Sequence, residues 1–197
     1  MKTAKNQSPT DFLKAGTRDR HVRFYFALAQ LKHLYRQGWL RIGVPKDKCE
    51  SVAEHSFGVA TLALCLAPAR SKTFDVGRAV TLALVHDMGE TFAGDIMPSE
   101  GISVDRKHAL ERRAARRLFR CLPAGKRLMA LWAEYEEQKT PEAKFVRQLD
   151  RLEMSLQAAV YGRQLGLDVQ EFFATAKSAV GDRRLLRILK SALAAAK

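Results

Sequence analysis

The chain has 197 residues, of which 47% are hydrophobic and 28% charged, a composition typical of one compact globular domain. No apolar run of about 18 residues is present to span a bilayer, and the opening MKTAKNQSPTDF lacks the apolar stretch of a secretory signal, so we expect a soluble cytoplasmic protein. Three scattered cysteines exclude a disulfide framework or a cysteine metal site. The net charge of +13 favours an anionic partner without distinguishing a phosphorylated metabolite from nucleic acid or an acidic surface.

Helical periodicity runs through nearly the whole sequence, and no two-residue alternation competes with it. We therefore predict an all-α fold of about seven to eight helices, in a single domain over residues 1–197 with a flexible polar tail at 1–10. The first long helix is predicted at about 19–37. Two further helices, at about 168–179 and 182–196, are expected to complete the chain.

Capping residues and helix breakers predict the remaining helix boundaries. Ser51 and Glu54 form a capping-box pattern that begins a helix in which Phe57 is expected to be buried and Cys65 to be an ordinary core residue. The other predicted boundaries are a cap at Asp75, a cap at Ser103, a break at Pro123, a cap at Thr140 followed by Pro141, and a stop at Gly166.

The stretch LALVHDMGETFAGD, residues 82–95, carries the first chemical signal. His86 lies one helical turn after Leu82 and Asp87 one turn after Ala83, so both are expected to point inward. A buried carboxylate without a partner costs several kcal/mol, so Asp87 needs a cation, a set of hydrogen-bond donors or a proton. A divalent metal ion would satisfy both neighbours.

Further ligands are predicted on two other helices. His55 lies in the second turn after Ser51, and Asp150 interrupts the apolar stripe of KFVRQLDRLEM. Each has a simpler interpretation, because a lone His55 is more often a satisfied or half-exposed histidine, and Asp150 can pair with Arg147 or Arg151. The mixed nitrogen and oxygen set suits Mn, Co, Fe, Ni or Zn better than Ca or Mg.

A histidine, a His-Asp doublet and a distant aspartate, all on helices, resemble the HD-domain superfamily of metal-dependent phosphohydrolases. The segments GWLRIGV, ESVAEHSFGVA, LALVHDMGETFAGDI and EAKFVRQLDRLEM, at about 25–160, are similar to those of the branch that contains the 5′-deoxynucleotidases and HD domain-containing protein 2. The resemblance implies a compact helical bundle, usually a homodimer, that binds one divalent transition metal ion through His55, His86, Asp87 and Asp150.

Other residues are candidates for substrate binding and proton transfer. Glu90, one turn after His86, is a candidate general acid or base, with an exposed helix-end carboxylate as the alternative. The resemblance implies that Asp95, like Glu90, is a catalytic residue near the phosphate and sugar of the substrate; the alternative for Asp95 is a turn residue. The resemblance also gives Arg36 a role in phosphate binding, with a solvated arginine at a helix end as the alternative.

Trp39 is a candidate to pack against a nucleobase, with a core anchor as the equal alternative. Bacterial nucleotidases of this family have the tryptophan directly after the arginine, whereas Gln37 and Gly38 intervene here. His108 is a lone candidate for a second metal ion, which would normally need a further ligand. The basic run at 106–120 is expected to be a solvated face; a nucleic-acid-binding module is the competing interpretation, although the run lacks interleaved aromatic residues.

These features predict a divalent-metal phosphohydrolase that hydrolyses a nucleoside monophosphate to nucleoside and phosphate. The substrate that we expect is a 2′-deoxyribonucleoside 5′-monophosphate. The metal can lower the pKa of a water molecule bound to it to roughly 7, which supplies hydroxide at neutral pH. The enzyme alternative is a phosphohydrolase of another nucleotide, such as a triphosphate or phosphodiester. The third interpretation is a non-catalytic nucleic-acid-binding or interaction protein.

Overall fold

A computed structural model describes residues 17–67 and 73–196; the predicted tail at 1–10 lies outside the described residues. Within these ranges the protein is helical, with one isolated β-bridge and no strand, which confirms the all-α prediction. Eight of the described helices have seven or more residues. The helices are α1 (Arg20–Ala29), α2 (Gln37–Arg41), α3 (Val52–Leu66), α4 (Val76–Val85), α5 (Glu90–Ala93), α6 (Val104–Phe119), α7 (Gly125–Glu137), α8 (Pro141–Leu165), α9 (Gln170–Ala179) and α10 (Arg183–Ala195), with 3₁₀ helices at Gln30–Lys32, His86–Gly89 and Pro98–Glu100.

Most of the predicted helix boundaries are confirmed by capping geometry. Ser51 and Glu54 form the expected reciprocal capping box at the start of α3. The side chain of Thr140 accepts a hydrogen bond from the backbone N–H of Ala143, and Pro141 occupies the first position of α8. The other confirmed boundaries are the Asp75 cap of α4, the Ser103 cap of α6, and the end of α8 at Gly166, whose φ is 66°.

The central core forms where α3, α4 and α8 pack against one another. The side chains that fill it are fully buried Val59 and Ala63 of α3, Leu82 and Ala83 of α4, and Leu149 and Leu152 of α8. His55 and Asp150 therefore extend from helices whose positions are set by close packing. No helix in the described part of the chain is both long and apolar enough to cross a membrane.

The predicted first helix is wrong at its C-terminal end. Helix α1 ends at Ala29, and after a 3₁₀ turn the backbone becomes extended at Tyr35, which forms the β-bridge with Ser51. The backbone N–H of Arg36 donates to the carbonyl of Glu50 at 3.1 Å. This pairing with the segment before α3 replaces helical hydrogen bonds, and it places Arg36 beside the first turn of α3.

The predicted burial of Phe57 and Cys65 on α3 is also wrong. The side chain of Phe57 is 72% exposed and that of Leu64 is 65% exposed, and Cys65 is exposed rather than a core residue. Helix α3 is apolar around most of its circumference, so periodicity alone did not identify the side that packs on α4 and α8. An apolar patch on α3 is therefore exposed in the single chain.

Candidate metal centre and active site

The four predicted metal ligands converge at one end of the core. His55, His86 and Asp150 each place a potential ligand atom so that the three atoms lie within 4.8 Å of one another. Asp87 Oδ2 is 3.2 Å from His86 Nε2 and 3.8 Å from His55 Nε2. The two histidine side chains are each 1% exposed, so the cluster is largely closed to bulk water.

The His-Asp doublet lies on tighter backbone than the sequence predicted. Helix α4 ends at Val85, and His86 and Asp87 begin the 3₁₀ helix His86–Gly89. A Cβ on Gly89 would lie 3.0 Å from the carbonyl oxygen of Glu111 on α6. The glycine thus permits a close approach of α6, which packs against this 3₁₀ helix.

Two buried atoms of the doublet point to a bound cation. His86 Nδ1 is 2.7 Å from the carbonyl oxygen of Ala83, so Nδ1–H donates there and Nε2 is left as an acceptor. Within the described residues, neither His86 Nε2 nor Asp87 Oδ2 makes a hydrogen bond, although both are buried and lie 3.2 Å from each other. Each such unsatisfied group costs about 1–3 kcal/mol. A divalent ion would satisfy both atoms, and the nitrogen and oxygen donors fit a transition metal.

The electrostatics of the cluster also favour a cation. Burial and nearby Arg36 would lower the pKa of His55, but the carboxylates of Glu153 and Asp150 raise it to about 10. Burial would raise the pKa of Asp87, yet His86, His55 and Arg36 hold it below its usual value. The carboxylates therefore stay ionised and draw positive charge, as protons or as a metal ion, onto the histidine side of the site.

Arg36 and Asp95 lie on the rim of the same cluster. Arg36 Nη1 is 3.6 Å from Asp95 Oδ1 and 3.8 Å from Asp87 Oδ2, and its side chain is 15% exposed. Asp95 Oδ2 accepts a hydrogen bond from the backbone N–H of Gln37 at 2.6 Å. Burial alone would lower the pKa of Arg36, but Asp95 and Asp87 raise it, so the guanidinium stays charged. It is not the solvated arginine of the alternative interpretation.

Glu90 is buried beside these groups and is not an exposed helix-end carboxylate. Burial, followed by the charges of Asp87 and Asp95, raises its pKa well above the usual value. Glu90 Oε2 has no hydrogen-bond partner among the described residues. The raised pKa means that this carboxyl group holds a proton more tightly than an ordinary glutamic acid, and the described residues do not engage its Oε2.

Trp39 occupies the core-anchor role. Its side chain is 2% exposed, and its ring packs against Phe172 and Tyr161 at centroid distances of 4.2 and 5.2 Å. The indole Nε1–H donates to Glu50 Oε1 at 2.6 Å. These contacts cover the ring faces and the polar edge, and they favour the core-anchor alternative over nucleobase stacking.

The side chain of His108 makes its contacts with residues outside the cluster. Its Nδ1 is 2.9 Å from Glu136 Oε2, and its ring stacks on Trp132. It is not part of either of the groups in the described residues that could hold a metal ion. Along the basic helix, the side chains that face solvent, as expected, include Arg106, Arg113, Arg116, Arg117 and Arg120.

Three residues near the site were not predicted. Glu153 Oε2 lies 2.5 Å from His55 Nδ1, and the Tyr135 hydroxyl donates to Asp150 Oδ2 at 3.4 Å. Lys107 turns inward from the basic helix and donates to the carbonyl of Ile96 at 3.1 Å. The spacing of Asp150 and Glu153 on one helix face was a signal for Glu153, whereas nothing in the sequence connected Tyr135 to the cluster.

The simpler pairing predicted for Asp150 is only partly present. Arg151 Nε lies 3.8 Å from Asp150 Oδ2, while Asp150 Oδ1 faces His55 Nε2 at 3.2 Å. Burial would raise the pKa of Asp150, but Arg151 and His55 lower it well below the usual value. Asp150 therefore presents an ionised oxygen to the cluster.

The protein is all-helical, and it buries a cluster formed by a histidine, a His-Asp doublet and a distant aspartate. These two features define a class of helical proteins with a buried polar site that is suited to a metal ion. The HD domain family model matches residues 28–185, and the chain belongs to this family.

Known relatives share both sequence and fold. The chain is 42% identical over 142 residues to the 5'-deoxynucleotidase HDDC2 of Mus musculus, covering 71% of this chain and 69% of the mouse protein. The crystal structure of the PH0347 protein from Pyrococcus horikoshii OT3 superposes with a TM-score of 0.74 at 34% identity, covering 87% of this chain and 97% of that one. A predicted metal-dependent phosphohydrolase from Magnetospirillum magnetotacticum MS-1 superposes with a TM-score of 0.67 at 30% identity, covering 90% and 91%.

Proposed function

We propose that this protein is a divalent-metal-dependent 5′-deoxynucleotidase that hydrolyses deoxyribonucleoside 5′-monophosphates to nucleoside and phosphate. The observation that carries the proposal is the buried cluster in which His86 Nε2 and Asp87 Oδ2 lack hydrogen-bond partners among the described residues. The charged Arg36 at its rim supplies a site for an anion. The identity to the mouse 5'-deoxynucleotidase supports the choice of substrate.

In this proposal His55, His86, Asp87 and Asp150 hold one divalent ion, of the Mn, Co, Fe, Ni or Zn group. When bound, such an ion supplies Lewis acidity that lowers the pKa of a water molecule and polarises a phosphate oxygen. Burial of the ligands keeps the surrounding dielectric low, which strengthens every electrostatic contact to the phosphate.

The residues at the rim bind the substrate and move protons. Arg36 exchanges its contacts with Asp87 and Asp95 for a bidentate contact with the phosphate, because a guanidinium matches two phosphate oxygens. Asp95 holds the backbone at Gln37 and so orients Arg36. Glu90 Oε2 takes a proton from the attacking water or returns one to the leaving 5′ oxygen.

We also propose that the enzyme acts in the cytoplasm as a homodimer. The family resemblance implies the dimer, and the exposed Phe57 and Leu64 on α3 supply apolar surface for it. Analytical ultracentrifugation tests the assembly: the wild-type is expected to sediment as a dimer, and a Phe57→Glu variant is expected to dissociate towards a monomer with the helical content unchanged.

Orthophosphate release tests the activity. Metal-stripped protein is assayed on a panel of ribo- and deoxyribonucleoside 5′-monophosphates, with Mn, Co, Mg or Zn restored in turn. We expect release that prefers deoxyribonucleotides, requires metal, and falls at least a hundredfold in Asp87→Ala. Glu142→Gln is the matched control, because this buried carboxylate accepts a hydrogen bond from the backbone N–H of Asp75, away from the cluster.

The possible results separate the candidate functions. Tripolyphosphate release from triphosphates, without monophosphate hydrolysis, would replace the substrate assignment but retain the metal site. Binding of oligonucleotides that weakens steeply with salt and persists in His86→Ala, in the absence of any turnover, would favour the interaction protein.

A further inference from the structure

The imidazole of His55 is held between two carboxylates of one helix. His55 Nδ1 is 2.5 Å from Glu153 Oε2, and His55 Nε2 is 3.2 Å from Asp150 Oδ1. Asp150 and Glu153 are three residues apart on α8, so their side chains lie on the same face. Both carboxylates are buried. Nε2 of the His55 ring therefore faces the metal cluster, and Nδ1 faces Glu153.

Gly58 provides the space that Glu153 occupies. Gly58 is three residues after His55 on α3, and a Cβ at this position would lie 2.5 Å from Glu153 Oε1 and 3.0 Å from its Cγ. A glycine inside a helix costs about 0.5–1 kcal/mol relative to alanine, so it needs a compensating reason. Here the reason is the close approach of the Glu153 side chain to the α3 backbone.

The two histidines of the cluster are oriented by different acceptors. His86 Nδ1 faces a neutral backbone carbonyl, that of Ala83, at 2.7 Å. His55 Nδ1 faces the carboxyl group of Glu153 at a shorter distance. A carboxylate that accepts the Nδ1–H fixes the tautomer with Nε2 as the ligand atom and makes that nitrogen more basic, so it is a stronger orienting partner than a carbonyl.

We propose that Glu153 is a positioning residue for metal binding, which holds His55 in the Nδ1–H tautomer with Nε2 directed at the ion, and that Gly58 is required to admit it. This inference rests on the proposed function, because it needs the cluster to bind a metal. It assigns to Glu153 no contact with the ion or the substrate. A loss of Glu153 therefore acts on metal affinity and on the electronic environment of the ion.

Metal binding by the stripped protein tests this role directly. Isothermal titration with Mn²⁺ gives affinity and stoichiometry, and the visible absorption of bound Co²⁺ reports the ligand field. In Glu153→Gln, which keeps the shape but loses the charge, we expect Mn²⁺ affinity about 10- to 100-fold weaker and an altered Co²⁺ spectrum. Gly58→Ala, which displaces the carboxylate without removing it, is expected to weaken binding in the same direction.

Glu142→Gln is the matched control, because Glu142 is a buried carboxylate on the same helix. It is expected to bind Mn²⁺ like the wild-type. Unchanged Mn²⁺ affinity and Co²⁺ spectrum in Glu153→Gln would overturn the positioning role, and so would equal weakening in Glu142→Gln, which indicates a general packing effect.

Stoichiometry separates positioning from direct ligation. Glu50, His55 and Glu153 also place potential ligand atoms within 4.8 Å of one another. Two Mn²⁺ per wild-type chain, with one lost in Glu153→Gln, would make Glu153 a ligand and overturn the proposal. Absence of any Mn²⁺ or Co²⁺ binding by the wild-type would overturn it together with the proposed function, whereas intact metal binding without nucleotidase activity would remove only the substrate assignment.

Discussion

The carboxylate of Asp95 accepts a 2.6 Å hydrogen bond from the backbone N–H of Gln37, a residue 58 positions earlier in the chain. The other carboxylate oxygen of Asp95 lies 3.6 Å from the guanidinium of Arg36. One side chain thus ties the loop after α5 to the start of α2. Asp95 follows the His-Asp doublet in the sequence, and through these two contacts it helps to set the position of Arg36, the candidate phosphate-binding arginine.

Replacing Asp95 is therefore expected to weaken substrate binding. In Asp95→Ala, loss of the hydrogen bond that holds the Gln37 backbone leaves Arg36 less well oriented towards the phosphate. This should reduce kcat/KM about 10- to 100-fold, because a hydrogen bond to a charged group contributes about 1.5–3 kcal/mol. Steady-state hydrolysis of a deoxyribonucleoside monophosphate measures the effect. The exposed Asp105 on α6 supplies the control Asp105→Ala, and equal activity in the two variants would contradict the prediction.

Changes at Trp39 are expected to affect stability and not base preference. Trp39→Ala removes a buried ring that packs on Phe172 and Tyr161, so the free energy of unfolding should fall by about 3–5 kcal/mol. Trp39→Phe keeps much of the packing and loses the hydrogen bond to Glu50. Urea unfolding measures the first effect. A changed ranking of the four deoxynucleotides by Trp39→Phe would restore the nucleobase role.

Metal binding is expected to release protons and to strengthen as pH rises. The pKa of His55 is raised to about 10 in the metal-free protein, so at neutral pH the ring carries a proton that the ion must displace. Between pH 6 and 8 the affinity should increase about tenfold per pH unit for each proton released. Titration calorimetry in buffers of different ionisation enthalpy counts these protons. A pH-independent affinity would show that the ligands are already deprotonated.

Loss of a proton from Glu111 is expected to lower the free energy of unfolding as pH rises. Burial raises its pKa to about 7, with Lys107 opposing and Asp87 and Glu136 adding to the shift, whereas the ordinary value is 4.5. The folded protein therefore binds a proton more tightly than the unfolded chain. The stabilisation is complete below about pH 4.5 and is lost as pH rises through about 7.

Urea unfolding of metal-free wild-type and Glu111→Gln at pH 5 and pH 8 tests this effect. The wild-type should lose on the order of 2 kcal/mol more than the variant between the two pH values. The comparison of the two proteins isolates Glu111 from other groups that titrate in the same range. Parallel losses in both proteins would contradict the assignment.

The sequence by itself determined the helical fold class and most helix boundaries, and it predicted four polar residues, His55, His86, Asp87 and Asp150, that the structure brings together. Helical boundaries are local, because caps such as Ser51 and Thr140 satisfy backbone groups within three residues of themselves. Asp87 and Asp150 were recognisable because a carboxylate in an apolar helix stripe costs free energy unless a partner is present. These signals depend on residue type and spacing, which the sequence contains in full.

Only the tertiary structure decided which groups meet across distant segments. The premature end of α1 follows from the pairing of Tyr35 with Ser51, and the burial of Trp39 follows from packing on Phe172. Glu153 reaches His55 because α3 and α8 approach closely at Gly58. Such contacts depend on how the helices pack against one another, and this packing is the result of many weak apolar contacts. On a helix as uniformly apolar as α3, hydrophobic periodicity does not show which side makes these contacts.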